Sequence, residues 1–324
     1  MRVEISGGNM KANYLRGADC FDGWRDDVLT GKPPTFFRIA DGGSLAGIEI
    51  GPRLITLFGG APGSGKTAFV MQSVVDALRL SPKLHAVVCN IEMSPAVLLD
   101  RQLSRLSGVP LSEIRYRRLT SIHADRVDVG MNAIESIAER LCFVRPPFTL
   151  ANVAATADDF APLIDGGSLL LVLDYIQRIA PPGTQGDKRG SVDATMNFIR
   201  QFADAGAAVL VVSSVGRQKD SRGRSSYGGD VLNLASFKES GELEFGADDA
   251  FILTPSEKLA GVRELRHLKA RNTECRDIQL AFDGSIQRFT AIEKHDESSS
   301  GGWSSALKDL WGRTDAHGGT AWNP

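Results

Sequence analysis

The chain has 324 residues, 42% of them apolar and 23% charged, with a formal net charge of −2 and four cysteines. This composition excludes collagen, coiled coil and bulk disorder, and its near-neutral balance requires any nucleic-acid partner to be met by locally clustered positive charge. No apolar run nears the roughly 18 residues of a membrane span, and the N-terminal stretch lacks an apolar signal core. Cys20, Cys89, Cys142 and Cys275 form no CxxC pair, which points to reduced thiols in a cytoplasmic protein and to no metal site built on cysteine.

In chain order, residues 1–35 read as an arm or linker with one short helix around Cys20–Leu29. From there, apolar runs alternate with helical patterns. LITLF at 54–58 reads as a buried strand, AFVMQSVVDALRL at 68–80 as a helix and HAVVCNI at 85–91 as a second strand. A helix over 96–108 stops at a C-cap glycine; a helix near 131–140 and a strand at 141–145 follow. LLLVLD at 169–174 is a further strand, 192–206 a helix ended by Gly206, and 207–214 another strand. Fully apolar strands separated by helices indicate an α/β fold with a mostly parallel sheet covered on both faces. After 250 the rhythm changes to consecutive short strands, DAFILT, VRELRHLKA, RDIQLAF and IQRFTAI, expected as an antiparallel C-terminal extension. The main domain is thus set at 36–292. Residues 293–324 are a flexible linker and a tail holding Trp303, Trp311 and Trp322, a candidate hook for a protein partner.

The strongest local signal is GAPGSGKT, Gly60, Ala61, Pro62, Gly63, Ser64, Gly65, Lys66 and Thr67, between a strand and a helix that continues with Ala68. Its backbone N–H groups and the helix dipole suit a nucleoside triphosphate such as ATP. Lys66 supplies a point charge to the phosphates, and Thr67 offers a hydroxyl to Mg2+. Asp174 ends the strand LLLVLD and suits the magnesium-side carboxylate at the tip of a neighbouring strand. It is followed by Tyr175, so a water-activating base must come from elsewhere. Glu92, at the end of the strand after the P-loop helix, is the candidate base if those two strands are neighbours; otherwise it is a solvated strand-end charge.

Several separated segments together resemble one family, the C-terminal motor domain of DnaB-type hexameric replicative helicases, with its RecA-like core. They are NIEMSPAVLLDRQLSRLSGV (90–109), LDYIQ (173–177), FKESGELEFGAD (237–248) and KARN (269–272), in the family's order and spacing over roughly 36–290. The resemblance implies Glu92 as catalytic base, Asp174 in the magnesium shell, and Lys269 and Arg271 as fingers to the γ-phosphate of a neighbouring subunit in a homo-oligomeric, hexameric ring. It also implies that single-stranded DNA is held by the stretch 216–230, with Arg217, Lys219, Arg222 and Arg224, and with Tyr227 able to stack on a base. The basic cluster at 115–118 reads as a solvated turn.

Two departures stand out. Ser214 occupies the position of a glutamine that the family uses to sense the γ-phosphate. Only about 35 residues precede the matching region, so the family's helical N-terminal domain and its usual primase contact are not expected. The implied function is an ATP-driven ring motor or helicase on single-stranded DNA, in replication or a mobile-element process. The alternative is a nucleotide-switched assembly or loader ATPase that does not unwind.

Overall fold

The computed structural model describes residues 15–161, 166–179, 188–216, 218–219, 225–226, 232–237, 246–257 and 259–293. Taken by itself, the N-terminal unit, residues 1–36, holds helix α1 (Gly17–Leu29). This helix starts three residues before the expected Cys20. Arg16 and Asp19 close its first turn through a reciprocal capping box, with Arg16 Nη2 2.6 Å from Asp19 Oδ1.

The second unit begins at Phe37. Its elements are β1 (Ile55–Gly60), α2 (Lys66–Leu80), β2 (Leu84–Asn90), α3 (Pro95–Ser107), α4 (Leu111–Arg115), α5 (Ala124–Ala138) and β3 (Leu141–Phe143). They continue with α6 (Leu150–Phe160), β4 (Ser168–Asp174), α7 (Lys188–Asp204), β5 (Ala208–Ser214), β6 (Gln218–Lys219) and β7 (Ser225–Ser226). The last are β8 (Asp249–Pro255), β9 (Val262–Ala270), β10 (Ile278–Asp283) and β11 (Arg288–Ala291).

Nine strands form one sheet in the order β11-β10-β9-β8-β1-β5-β4-β2-β3. From β8 to β3 all neighbours are parallel; β8 to β11 are antiparallel. The expected α/β class and antiparallel extension are therefore present, with β8 as the hinge strand: parallel to β1 on one side and antiparallel to β9 on the other. Two adjacencies expected from the sequence are not there. Asp174's strand is separated from β1 by β5, and Glu92's strand by both β5 and β4. Crossover connections carry the chain past intervening strands, so chain order does not give sheet order.

Side chains alternate along each strand, dividing the core in two. Phe58, Val88, Leu170, Val172 and Leu210 face α2, α3 and α5; Ile55, Leu57, Val87, Leu171 and Val209 face α6 and α7. Phe58 sits 5.5 Å from the Phe69 ring of α2 and 5.3 Å from Phe251 of β8, joining helix to sheet by aromatic contacts. At Gly130 in α5, a Cβ would lie 2.9 Å from Leu103 Cδ1, so this glycine is what lets α5 approach α3 closely. Gln72 of α2 makes a reciprocal pair with β11: its Nε2 donates to the Phe289 carbonyl (2.8 Å), and its Oε1 accepts from Phe289 N (2.9 Å). Arg105 of α3 forks onto Asp76 of α2, both contacts at 2.9 Å, with the guanidinium buried. No helix of the described residues is long and apolar enough to cross a membrane.

Candidate active site

β1 ends at Gly60, and the chain turns through Ala61–Gly65 before α2 starts at Lys66. Gly65 has φ 98°, and a Cβ there would stand 2.8 Å from the Phe289 ring, so only glycine fits the turn into the helix. The first N–H groups of α2 lack intrahelical acceptors and open into a cavity of about 460 Å³. Lys66 Nζ donates to the carbonyls of Gly60 (2.8 Å) and Ala61 (3.0 Å). Ser64 Oγ is buried in this turn without a hydrogen-bond partner.

The cavity brings together residues from distant parts of the chain. Lys66, Thr67, Glu92 and Asp174 all line it, together with Arg101 of α3 and Ser214 at the end of β5. Asp174 reaches the cradle across the intervening strand through a hydrogen bond with the Thr67 side chain. Burial raises its carboxyl to about 6, helped by the Glu92 charge and opposed by the Thr67 bond, the Lys66 charge and the Asn90 bond. Lys66 is lowered by burial, with Asp174 and Glu92 acting against that shift. The Thr67 hydroxyl and the Asp174 carboxylate are hard oxygen donors side by side, and the buried carboxylate has a solvation deficit that a divalent cation would relieve. The residues therefore fit Mg2+.

Asn90, the buried last residue of β2, ties this corner together. Its Nδ2 donates to Asp174 Oδ2 (2.6 Å), while its Oδ1 accepts from the backbone N–H of Glu92 (3.1 Å) and of Met93 (2.8 Å). One amide thus fixes both the carboxylate on β4 and the turn that carries Glu92. Although the strands are not neighbours of β1, Glu92 reaches the cavity because β2 and β4 pair directly, Asn90 opposite Asp174.

Sequence reasoning missed Asn90 and Arg101. Arg101 faces the cavity with a buried Nε that has no partner, and desolvation lowers its pKa. The signal for it was its place in a helix leaving the Glu92 turn. Phe282 and Gln287 of the antiparallel extension also close the cavity, a contact that no local pattern announces. At Ser214, Gln177 Oε1 accepts from the backbone N–H (3.2 Å), and Gln177 Nε2 donates to Ser213 Oγ (2.7 Å).

Lys269 and Arg271 do not join this cavity. β9 runs antiparallel to β8, so Ala270 pairs with Asp249, and Asp249 in turn pairs with Thr56. Both basic residues therefore lie at the opposite end of the sheet from Gly60, about 13 Å of strand away. Of the expected DNA-contacting residues, Arg217, Arg222 and Arg224 lie outside the described residues; Lys219 is in β6, paired with Ser225 of β7. Tyr227, most of the segment 237–248 and the tail from 294 also fall outside them. The 115–118 cluster is a turn with pairs to its own neighbours, Arg117 to Asp100 at 2.9 Å and Arg118 to Glu113 at 3.0 Å.

Comparison with known proteins settles the family. The DnaB-like helicase C terminal domain matches over residues 45–291. The chain belongs to that family. The DnaB-like fold extends to solved structures. One, described as an isolated "ATPase Domain", superposes with a TM-score of 0.74 at 16% identity, covering 87% of this chain and 100% of that one. Another, "The Structure Of A DnaB-Like Replicative Helicase And Its Interactions With Primase", does so with a TM-score of 0.72 at 16% identity, covering 88% of this chain and 69% of that one. Comparison with curated proteins gives no match. The DnaB-like assignment makes this a domain of the replicative-helicase ATPase type, a class that uses nucleotide and Mg2+.

Proposed function

We propose that this chain hydrolyses ATP at the seam between two copies of itself, as a ring-forming motor on single-stranded DNA. The observation that carries the reading is the separation of its chemistry. Lys66, Thr67, Glu92 and Asp174 converge on one cavity, while Lys269 and Arg271 stand at the opposite end of the sheet. A head-to-tail contact that closes into a ring, with six copies in the hexameric case, joins the two halves.

In this reading the α2 N–H groups and Lys66 hold the β- and γ-phosphates. Thr67 and Asp174 would hold Mg2+, which when bound neutralises charge on the phosphate oxygens. Asn90 fixes the turn so that Glu92 orients the attacking water and accepts its proton as the bond to the β-phosphate oxygen breaks. Arg101 adds positive charge to the cavity wall. Lys269 and Arg271 of the adjoining copy meet the charge that develops on the γ-phosphate, so turnover depends on assembly.

The test is ATP turnover against single-stranded DNA, salt and protein concentration. A several-fold rise with DNA that salt suppresses supports the motor. A lone copy in all nucleotide states that still turns over briskly overturns it. Ser214, at the family's glutamine position, favours one other reading, a nucleotide-switched assembly or loader ATPase without unwinding. Turnover that ignores DNA but answers to a protein partner supports that reading instead.

A further inference from the structure

At the foot of the sheet lies a buried carboxylate that the catalytic scheme has not used. Asp248 immediately precedes β8 and is only 3% exposed, and its two oxygens point to different parts of the molecule. Oδ2 accepts from the backbone N–H of Ile55, the first residue of β1, at 2.8 Å, and Arg200 Nη1 of α7 stands 3.5 Å away. Oδ1 lies 2.5 Å from Arg271 Nη1. Arg271 itself is half exposed, so its guanidinium is gripped on one side and offered to solvent on the other.

We propose that Asp248 is the positioning residue for Arg271, holding the guanidinium at the foot of the sheet in the pose that meets the neighbouring copy's γ-phosphate. The proposal rests on the finger reading above. Its physical basis is pre-organisation. An arginine at the end of an edge-side strand carries about 2 kcal/mol of rotamer entropy, and its planar fork helps only if it arrives already oriented. A guanidinium has five N–H donors, so the contact through Nη1 spends a small part of its capacity. Asp248 can act as an anchor because it is itself fixed from three directions: its own backbone N–H donates to the Ile55 carbonyl (2.8 Å), Ile55 N–H binds Oδ2, and Arg200 flanks it. The same carboxylate touches the root of β1, whose far end is this copy's own phosphate cradle. One residue thus joins the cradle strand of a copy to the finger that copy extends to its neighbour.

The alternative role for Asp248 is purely structural, a tether for β1 through Oδ2, and mixing experiments separate the two. Asp248→Asn keeps an acceptor for Ile55 N–H but sets an amide N–H2 against Arg271. Alone, it should lower kcat by about 10²-fold, the cost of a group misplaced by about 1 Å, with KM for ATP within about twofold of the parent. Arg271→Ala should lose about 10³-fold or more. Each variant is then titrated with Lys66→Ala chains, whose own cradle is dead but whose Asp248 and Arg271 are intact. Mixed assemblies contain seams where a sound cradle meets a sound finger. Recovery of turnover in both mixtures supports the proposal. Recovery with Arg271→Ala but not with Asp248→Asn means that Asp248 serves its own cradle, and overturns it while leaving the finger reading in place. Failure of Arg271→Ala to recover removes the finger reading and the proposal with it. If Asp248→Asn does not fold or assemble, as judged by melting and mass, Asp248→Glu carries the same mixing test. It keeps the buried charge and displaces the carboxylate by one methylene.

Discussion

Along β1 every side chain is buried, whereas along β9 most are only partly covered. The first strand lies mid-sheet between β8 and β5 with helices on both faces; the second belongs to the antiparallel flank. The difference separates two tasks. The parallel interior fixes a strand so firmly that the turn at its end can hold an unsatisfied hydroxyl and a strained glycine. The antiparallel flank keeps side chains such as Arg271 within reach of something outside the chain.

Substitutions on the two sides should measure that division. The largest effect belongs to the cradle. Lys66→Ala should reduce ATP turnover by about 10³-fold or more while the circular dichroism melt stays close to the parent's, because the lysine's only described bonds are to two loop carbonyls. Next, Phe58→Ala in the interior should cost about 3–5 kcal/mol in denaturant unfolding. Phe282→Ala on the flank, where the ring stacks on Phe289 at 4.3 Å and carries Arg263 at 5.4 Å, should cost about 1–2 kcal/mol. Equal losses at the two sites would break the comparison. Asn90→Ala should lower kcat by about 10–100-fold with a smaller change in KM, since it frees the Glu92 turn without removing a charge.

The smallest effect concerns stability and pH. In the folded chain Asp174 titrates at about 6, above its ordinary 3.8, because burial disfavours the charged form. The folded state therefore binds this proton more tightly than the unfolded state does. Stability from this group falls as pH rises from about 4 to about 6, and the cost stays constant above that. Without nucleotide or magnesium, Asp174→Asn should melt above the parent at pH 8, the gap closing as pH is lowered towards 4. The same variant should lose magnesium-dependent turnover. A gap that widens on acidification would contradict the burial argument.

The phosphate cradle was legible in the sequence because its parts are local. A strand, a glycine turn, Lys66 and Thr67 occupy fourteen consecutive positions, Ile55 to Ala68, and their chemistry follows from the spacing. Asp174 and Glu92 were legible as strand ends, but not their reach. That depends on β4 and β2 lying beside each other and beyond β5, which crossovers set and periodicity does not. Asn90, Arg101 and Asp248 were invisible for the same reason: each matters through a partner distant in the chain. The early turns of α5 were missed because Asp125, Arg126 and Asp128 dilute the apolar stripe, and the segment becomes helical through packing at Gly130 against Leu103.

The Gln72–Phe289 pair has a consequence for how the chain emerges from a ribosome. β1 needs β5 and β8 as its two flanking partners, and the helix that follows it is fastened to a strand more than two hundred positions later. Local helices can form as they are synthesised, but the nucleotide pocket closes only once almost the entire polypeptide has been made. A nascent fragment that stops before residue 289 is thereby kept from consuming fuel.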